Sequence, residues 1–280
     1  MGWQIAVRHR TAFSYAAPVT ESFNEARMTP ITGDGQRTLQ DRLEVSPTVR
    51  PMRYHDYWGT VVHAFDVHAP HTELEVISTA VVETTPAAPA PAHISWSEVT
   101  SAPVQDRFAE FLLPSRLAVA ESELDDAARA LVARCSPLAA VGAISEWVRE
   151  NLTYTKGATG VSTTSAEARA LGKGVCQDYA HLAIAVGRAM RLPSRYVSGY
   201  LCPGTDATIG KTTSGESHAW IEFWAGRWIP VDPTSGAPVA QRHIVIARGR
   251  DYADVRPFSG VYHGSHTGPV CVSVELTRLR

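Results

Sequence analysis

The chain has 280 residues, 44% of them hydrophobic and 19% charged, enough for one large or two ordinary domains, each with its own core. Lysine and arginine total 26 against 28 aspartate and glutamate, so a formal net charge of -2 offers a polyanion no handle, and nucleic acid is not expected as a partner. No run approaches the roughly 18 apolar residues of a membrane span, and the opening stretch is too polar for a signal peptide, so no membrane partner is expected and a cytoplasmic location is. Cys135, Cys176, Cys202 and Cys271 show no C-x-x-C pairing and suit a reducing compartment.

Alternation of apolar and polar residues dominates the amino-terminal part: Trp3, Ile5 and Val7, then Leu43 and Val45, then Val61, Phe65 and Val67, then Leu74 and Val76. A period of two with turn residues between predicts a small antiparallel β domain over 1–85. The stretch Thr84-Thr85-Pro86-Ala87-Ala88-Pro89-Ala90-Pro91-Ala92 favours extended chain and resists helix packing, so 86–103 reads as a Pro/Ala-rich linker. Over 104–280 the period turns helical. Leu124, Ala127, Ala128, Leu131 and Val132 share one helix face, with Ser122 and Asp125 at capping-box spacing. Pro137 opens a second helix with Val141, Ile144, Val148 and Leu152 on one face, ending before Tyr154. Residues 176–192 are apolar or small almost all round and stop at Pro193, as in a helix at the middle of a domain. Strand-like runs follow at 195–201, 218–223 and 227–231, and a last alternation at Val270, Val272, Val274 and Leu276. Helices first and strands second make an α+β fold with a central Cys-bearing helix packed on an antiparallel sheet.

The chemistry concentrates in Gly172-Lys173-Gly174-Val175-Cys176-Gln177-Asp178-Tyr179-Ala180-His181. Two glycines permit a sharp approach, and Cys176 then falls in the first helical turn, where unpaired N–H groups and the helix dipole stabilise a thiolate. A buried structural cysteine fits the same position equally well. The odds change with Ser217-His218-Ala219-Trp220-Ile221-Glu222-Phe223-Trp224-Ala225-Gly226-Arg227-Trp228-Ile229-Pro230-Val231-Asp232-Pro233. A three-residue loop Trp224-Ala225-Gly226, with a left-handed Gly226, pairs Phe223 with Arg227 and therefore His218 with Asp232. A two-residue loop Ala225-Gly226 instead puts the two side chains on opposite faces, and Pro230 implies an edge strand or a bulge. In the first register the group meets the recipe for nucleophilic catalysis: thiolate, imidazole as base and acid, carboxylate as orienter.

Gly174-Val175-Cys176-Gln177-Asp178-Tyr179-Ala180-His181, Ser217-His218-Ala219-Trp220 and Val231-Asp232-Pro233-Thr234, in this order, closely resemble the bacterial transglutaminase-like family of the papain-like cysteine enzyme fold. Asp56-Tyr57-Trp58-Gly59 resembles that family's amino-terminal domain, and 243–252 its carboxy-terminal signature; Thr60 stands where Asn is expected and Pro230 where Gly is. The resemblance implies Cys176 as nucleophile, His218 as general base and acid, and Asp232 as third member. The Cys176 N–H is a natural oxyanion donor, and Tyr154 is a candidate for the second. Gln177, Trp220, Arg250 and Asp251 are candidates to line the substrate cleft, although a segment such as 250–254 is more often a surface ion-pair turn.

No metal and no cofactor is expected. His63 and His68, an odd number apart in one strand-like run, point to opposite faces; His263 and His266 lack partners at ligand spacing; no H-E-x-x-H or calcium loop occurs. The expected activity is thiol-dependent acyl transfer on a carboxamide or peptide bond of a peptide or protein, through a thioester, with water as the default acceptor. The alternatives are amine transfer to glutamine, as in transglutaminase crosslinking, and a noncatalytic peptide-binding module.

Overall fold

The computed structural model describes residues 2–86, 93–204, 208–264 and 268–280. Most of the Pro/Ala-rich stretch, 87–92, and His266 lie outside the described residues. Six strands open the chain: β1 (Trp3–Val19), β2 (Glu21–Ala26), β3 (Gln36–Ser46), β4 (Met52–His55), β5 (Val61–Val67) and β6 (His71–Thr84). Helices α1 (Trp96–Val99), α2 (Ala102–Arg107), α3 (Ser122–Arg134) and α4 (Pro137–Asn151) follow, then the two-residue strand β7 (Thr153–Tyr154), helix α5 (Ser165–Leu171), strand β8 (Lys173–Gly174) and helix α6 (Cys176–Ala189). Strands β9 (Ser194–Leu201), β10 (Thr212–Trp224), β11 (Trp228–Val231), β12 (His243–Gly249), β13 (Phe258–His263) and β14 (Cys271–Arg278) close it. Among the described residues no helix is long and apolar enough to cross a membrane.

This is the expected α+β architecture, with α6 at its centre. All residues of α6 from Gln177 to Arg188 are buried, which an apolar or small residue at nearly every position allows. Leu182, Ile184 and Val186 share one core with Leu124 and Leu131 of α3, Ile144 and Val148 of α4, and Ile221 and Phe223 of β10. The helix ends three residues earlier than the sequence suggests. Arg191 turns left-handed at φ 60°, and the Leu192 N–H closes on the Gly187 carbonyl at 2.9 Å, a helix stop completed before Pro193 is reached. The capping box expected at Ser122 is also corrected: Glu121 is the N-cap, and Ser122 already lies inside α3.

Strand pairing crosses the chain more than alternation foretells. The large sheet runs β12-β9-β10-β14-β1-β6-β3, so the carboxy-terminal strand sits between β10 and the amino-terminal β1. The second sheet runs β13-β2-β5-β4, again with a late strand on an early one. Phe258–His263 and Cys271–Arg278, read from sequence with the catalytic segment, thus pair with amino-terminal strands, because alternation reports which face a residue takes and not which strand lies beside it. Ile5, Val7, Ala80 and Val82 of β1 and β6 accordingly share the core of α6, while Val19, Met28, Phe65 and Leu74 build a second, smaller one. Within the segment read as linker, Trp96–Val99 is a helical turn capped by Ser95 and Glu98.

Candidate active site

Gly172 ends α5 in the left-handed conformation, φ 65°, and Gly174 lies so close under Asp178 that a Cβ there would come 2.8 Å from the carboxylate. Asp178 uses that space to reach back and accept the Val175 N–H at 2.7 Å, with the Thr159 hydroxyl donating at 2.6 Å, which fixes the start of α6. Burial pushes the Asp178 carboxyl up, against these hydrogen bonds. Cys176 is therefore the first residue of α6 and half-buried, and its N–H has no acceptor among the described residues.

The β10–β11 hairpin differs from the expected register. Trp224 pairs with Trp228 and Ile221 with Val231, so the loop is Ala225-Gly226-Arg227 rather than Trp224-Ala225-Gly226. The slip is two residues, one full pleat, so His218 and Asp232 keep the same face although they are not paired. Gly226 is left-handed as expected, φ 82°, and Pro230 is tolerated because β11 lies beside β10 at the margin of the sheet, with one isolated bridge from Val231 to Pro238 on its other side. Asp232 lies just past β11 in a turn, where its carboxylate accepts the Thr234 N–H at 2.9 Å and the Ser235 hydroxyl at 2.6 Å. The His218 Nε2 stands 3.0 Å from Asp232 Oδ2. On β10, Thr212–Gly215 pair with β14 and Ile221–Trp224 with β11, so the edge around His218 lies in the gap between two neighbours, open to α6.

Burial pulls the His218 imidazolium down, but hydrogen bonds to Asp232 and to the Cys176 thiol outweigh it and raise its pKa to about 9. Burial raises the Asp232 carboxyl, and hydrogen bonds from His218 and Ser235, with His243 close by, overcome that and hold it well below the usual carboxylate range. The imidazole thus has both the thiol and the carboxylate as neighbours, with Nε2 on the acid.

The other expected residues are dispersed. Tyr154 is 44% exposed in β7, which pairs in parallel with Gly174, two residues before Cys176. Its phenol is pushed up by burial and then by the nearby Cys176, so it lies within electrostatic reach of the thiol. Gln177 is buried, with its amide 3.5 Å from the Gly160 carbonyl. Trp220 is fully buried, its ring laid over Gly199, where a Cβ would collide with both the indole and the Ile244 carbonyl. Arg250 holds Asp254 through two bonds of 2.9 Å, and Asp251 accepts the Leu117 N–H at 2.9 Å and the Ala253 N–H at 2.8 Å. The segment docks on the flank of α6, where the Tyr252 N–H meets His181 and the Arg250 carbonyl accepts from Arg188. Those residues lie five and twelve positions past Cys176, about 7 and 18 Å of helix rise, so Arg250 and Asp251 anchor the segment to the helix and not to the cleft.

His243 was not singled out by sequence. It opens β12, is 4% exposed, and its ring lies 6.3 Å from that of His218 and 5.3 Å from that of Trp220. Nitrogens of His218 and His243 and the Asp232 carboxylate all fall within 4.8 Å of one another, the one group among the described residues with the donor set and spacing for a metal ion. No spacing rule leads to His243, because it arrives on a strand contributed from elsewhere in the sheet.

A cysteine at the start of a buried helix, facing a strand histidine and a carboxylate on an antiparallel sheet, defines a papain-like cysteine-enzyme fold with a transglutaminase-like core. The comparisons agree with that class: residues 5–83 match the bacterial transglutaminase-like N-terminal region, and residues 126–233, which hold Cys176, His218 and Asp232, match the transglutaminase-like superfamily. An uncharacterized protein of Mycobacterium leprae is 44% identical over 277 residues, covering 99% of each chain. One from Mycobacterium tuberculosis is 35% identical over 293 residues, covering 96% of this chain and 91% of that one. A crystal structure of a candidate cysteine protease from Cytophaga hutchinsonii superposes with a TM-score of 0.78 at 24% identity, over 100% of this chain and 92% of that one. The chain belongs to the bacterial transglutaminase-like family.

Proposed function

We propose that the protein is a thiol-dependent acyl-transfer enzyme that hydrolyses a carboxamide or peptide bond of a peptide or protein. The observation that carries this is the grouping of Cys176 and Asp232 about His218, with Nε2 3.0 Å from the buried carboxylate. The Cys176 thiolate attacks the carbonyl carbon, and the oxyanion is met by the Cys176 N–H at the start of α6, with the Tyr154 hydroxyl as the candidate second donor. The C–N bond breaks, His218 delivers its proton to the leaving amine, and a thioester remains. Neutral His218 then takes a proton from water, hydroxide adds to the thioester, and the acid and the thiol are released. Water is the default acceptor, since no side chain at the site marks a place for an incoming amine. Four free thiols are consistent with a reducing, cytoplasmic setting.

The test is mass spectrometry of a peptide library rich in Gln and Lys, with and without a primary amine, comparing wild type with Cys176→Ala. Shorter fragments, or Gln converted to Glu, are expected only with wild type. Amine adducts that require Cys176 would replace hydrolysis by transfer. Identical spectra for the two proteins, with Cys176 alkylated by iodoacetamide no faster than Cys135 or Cys271, would leave a noncatalytic binding module.

A further inference from the structure

Asp232 is fully buried and faces two imidazoles, of which the reaction described above uses one. The second belongs to His243, whose protonation follows from its surroundings. The Ala240 N–H points at His243 Nδ1 at 3.1 Å, and the Ala240 carbonyl, 3.3 Å from the same Nδ1, already accepts the His243 backbone N–H at the shorter 2.9 Å. A proton on Nδ1 would set two N–H groups against each other and would leave the bare Nε2 lone pair facing a carboxylate. A proton on Nε2 gives the Ala240 N–H an acceptor and turns a donor toward Asp232. Nε2 is buried and makes no hydrogen bond among the described residues, while His243 brings a ring nitrogen within 4.8 Å of the Asp232 carboxylate, so a second donor to that carboxylate is what this unpartnered nitrogen has to offer.

We propose that His243 is a positioning residue for the catalytic group: its Nε2–H donates to Asp232, holds the carboxylate on His218 and withdraws part of its charge. The inference rests on the reading of Cys176, His218 and Asp232 as the catalytic group. One carboxylate shared between two imidazoles serves His218 less strongly than one devoted to it. His218 is thereby kept acidic enough to hand its proton to a leaving amine. The groups that face the two rings are Cys176 from α6, Asp232 from the turn after β11, and Arg242 beside His243; Glu216, two residues from His218, is held by Lys156 at 2.7 Å. Burial lowers the His243 pKa and the charge of His218 adds to it, against the hydrogen bond to Asp232, so His243 stays a neutral donor while His218 carries the proton.

The same geometry disfavours a metal ion there. With His243 protonated on Nε2 both rings turn donors toward Asp232, whose carboxylate also takes the Thr234 N–H and the Ser235 hydroxyl.

The experiment follows the rate of Cys176 alkylation by iodoacetamide against pH in wild type, His243→Gln and His243→Leu, with His218 titrated by NMR in each. Gln places an amide N–H near the Nε2 position without a titrating group, and Leu removes the donor. His243→Gln should follow wild type. In His243→Leu the rate should fall by about tenfold, the worth of one charge-assisted hydrogen bond. The titration of His218 and the alkaline limb should move up by roughly half to one pH unit as the carboxylate regains its charge. A packing role alone would lower stability in both variants and leave the midpoint in place. A folded His243→Leu that matches wild type in rate and midpoint overturns the proposal while leaving the catalytic reading intact. If instead wild-type Cys176 reacts no faster than Cys135 or Cys271, the catalytic reading itself falls and the proposal with it. The nitrogen chemical shifts of His243 in wild type need no variant: a proton on Nε2 supports the proposal, and a proton on Nδ1 overturns it.

Discussion

Raising the pH from 6.5 to 9 tests the ion pair of His218 and Asp232 through the stability of the whole chain. In the unfolded chain His218 loses its proton near its ordinary 6.5, whereas in the folded chain it keeps it to about 9. A folded-state value above the unfolded one stabilises fully below 6.5 and is lost as pH climbs through 9. At 1.36 kcal/mol per unit the window is worth about 3 kcal/mol, a large share of the roughly 5–15 kcal/mol that hold a protein folded. The depressed Asp232 carboxyl describes the same contact from its other side. It acts only at acid pH, above which it is fully present, and is not counted twice. Two other deeply buried histidines do not interfere: burial lowers His9 to about 4 and His181 to about 3, both below the window. The assay is urea unfolding at fixed ionic strength across pH 6 to 10 for wild type and His218→Gln, which leaves Asp232 a neutral donor. Wild type should lose about 3 kcal/mol across the window and the variant should stay nearly flat, with Cys176→Ala between them because the thiol supports the imidazolium. Parallel curves for wild type and His218→Gln would refute the ion pair.

Three further outcomes follow from the packing. Gly199→Ala, whose Cβ would meet the Ile244 carbonyl and the Trp220 ring, should cost about 2–3 kcal/mol in urea unfolding, because backbone on one side and a fully buried indole on the other leave nothing to yield. Glu222→Ala should cost about 3–5 kcal/mol in the same measurement, since the buried carboxylate takes Arg195 at 2.6 Å and Arg248 at 3.0 Å and its loss leaves two buried guanidinium groups without it. Arg250→Ala should change stability by under about 1 kcal/mol and leave the alkylation rate of Cys176 unaltered, because its exposed pair with Asp254 sits on the flank of α6. A drop in the Cys176 rate would return Arg250 to the cleft.

The proximity of His218 and Asp232 was legible in the sequence for reasons that tolerate error. Hairpin arithmetic misplaced the loop by one residue at each end, yet a slip of two preserves parity, and parity is all that decides whether His218 and Asp232 share a face. The central helix was readable because residues 176–189, apolar or small almost all round apart from Gln177, Asp178, His181 and Arg188, suit a helix enclosed on every side. Helix α5 was missed although Thr164 and Glu167 form a capping box, because seven residues are too few to show a period. Arg250 and Asp251 looked like substrate-reading chemistry only because charge in a sequence does not show its partner. His243 and the neighbours of β13 and β14 were hidden for one reason: they depend on which strand lies beside which, and alternation carries no such information.

The place of β14 matters while the chain is being made. The edge of β1 that residues 271–278 fill leaves the ribosome well ahead of its partner, since the two strands are separated by the rest of the fold. At about 5–20 residues per second the row of N–H and C=O groups on β1 waits on the order of tens of seconds for that strand. During that time the amino-terminal half offers a ready template to any other extended chain, including its twin on a neighbouring ribosome. The strand that closes the sheet also pairs with Thr212–Gly215 next to His218, so the strand that carries this imidazole gains its full set of neighbours only once β14 has been made.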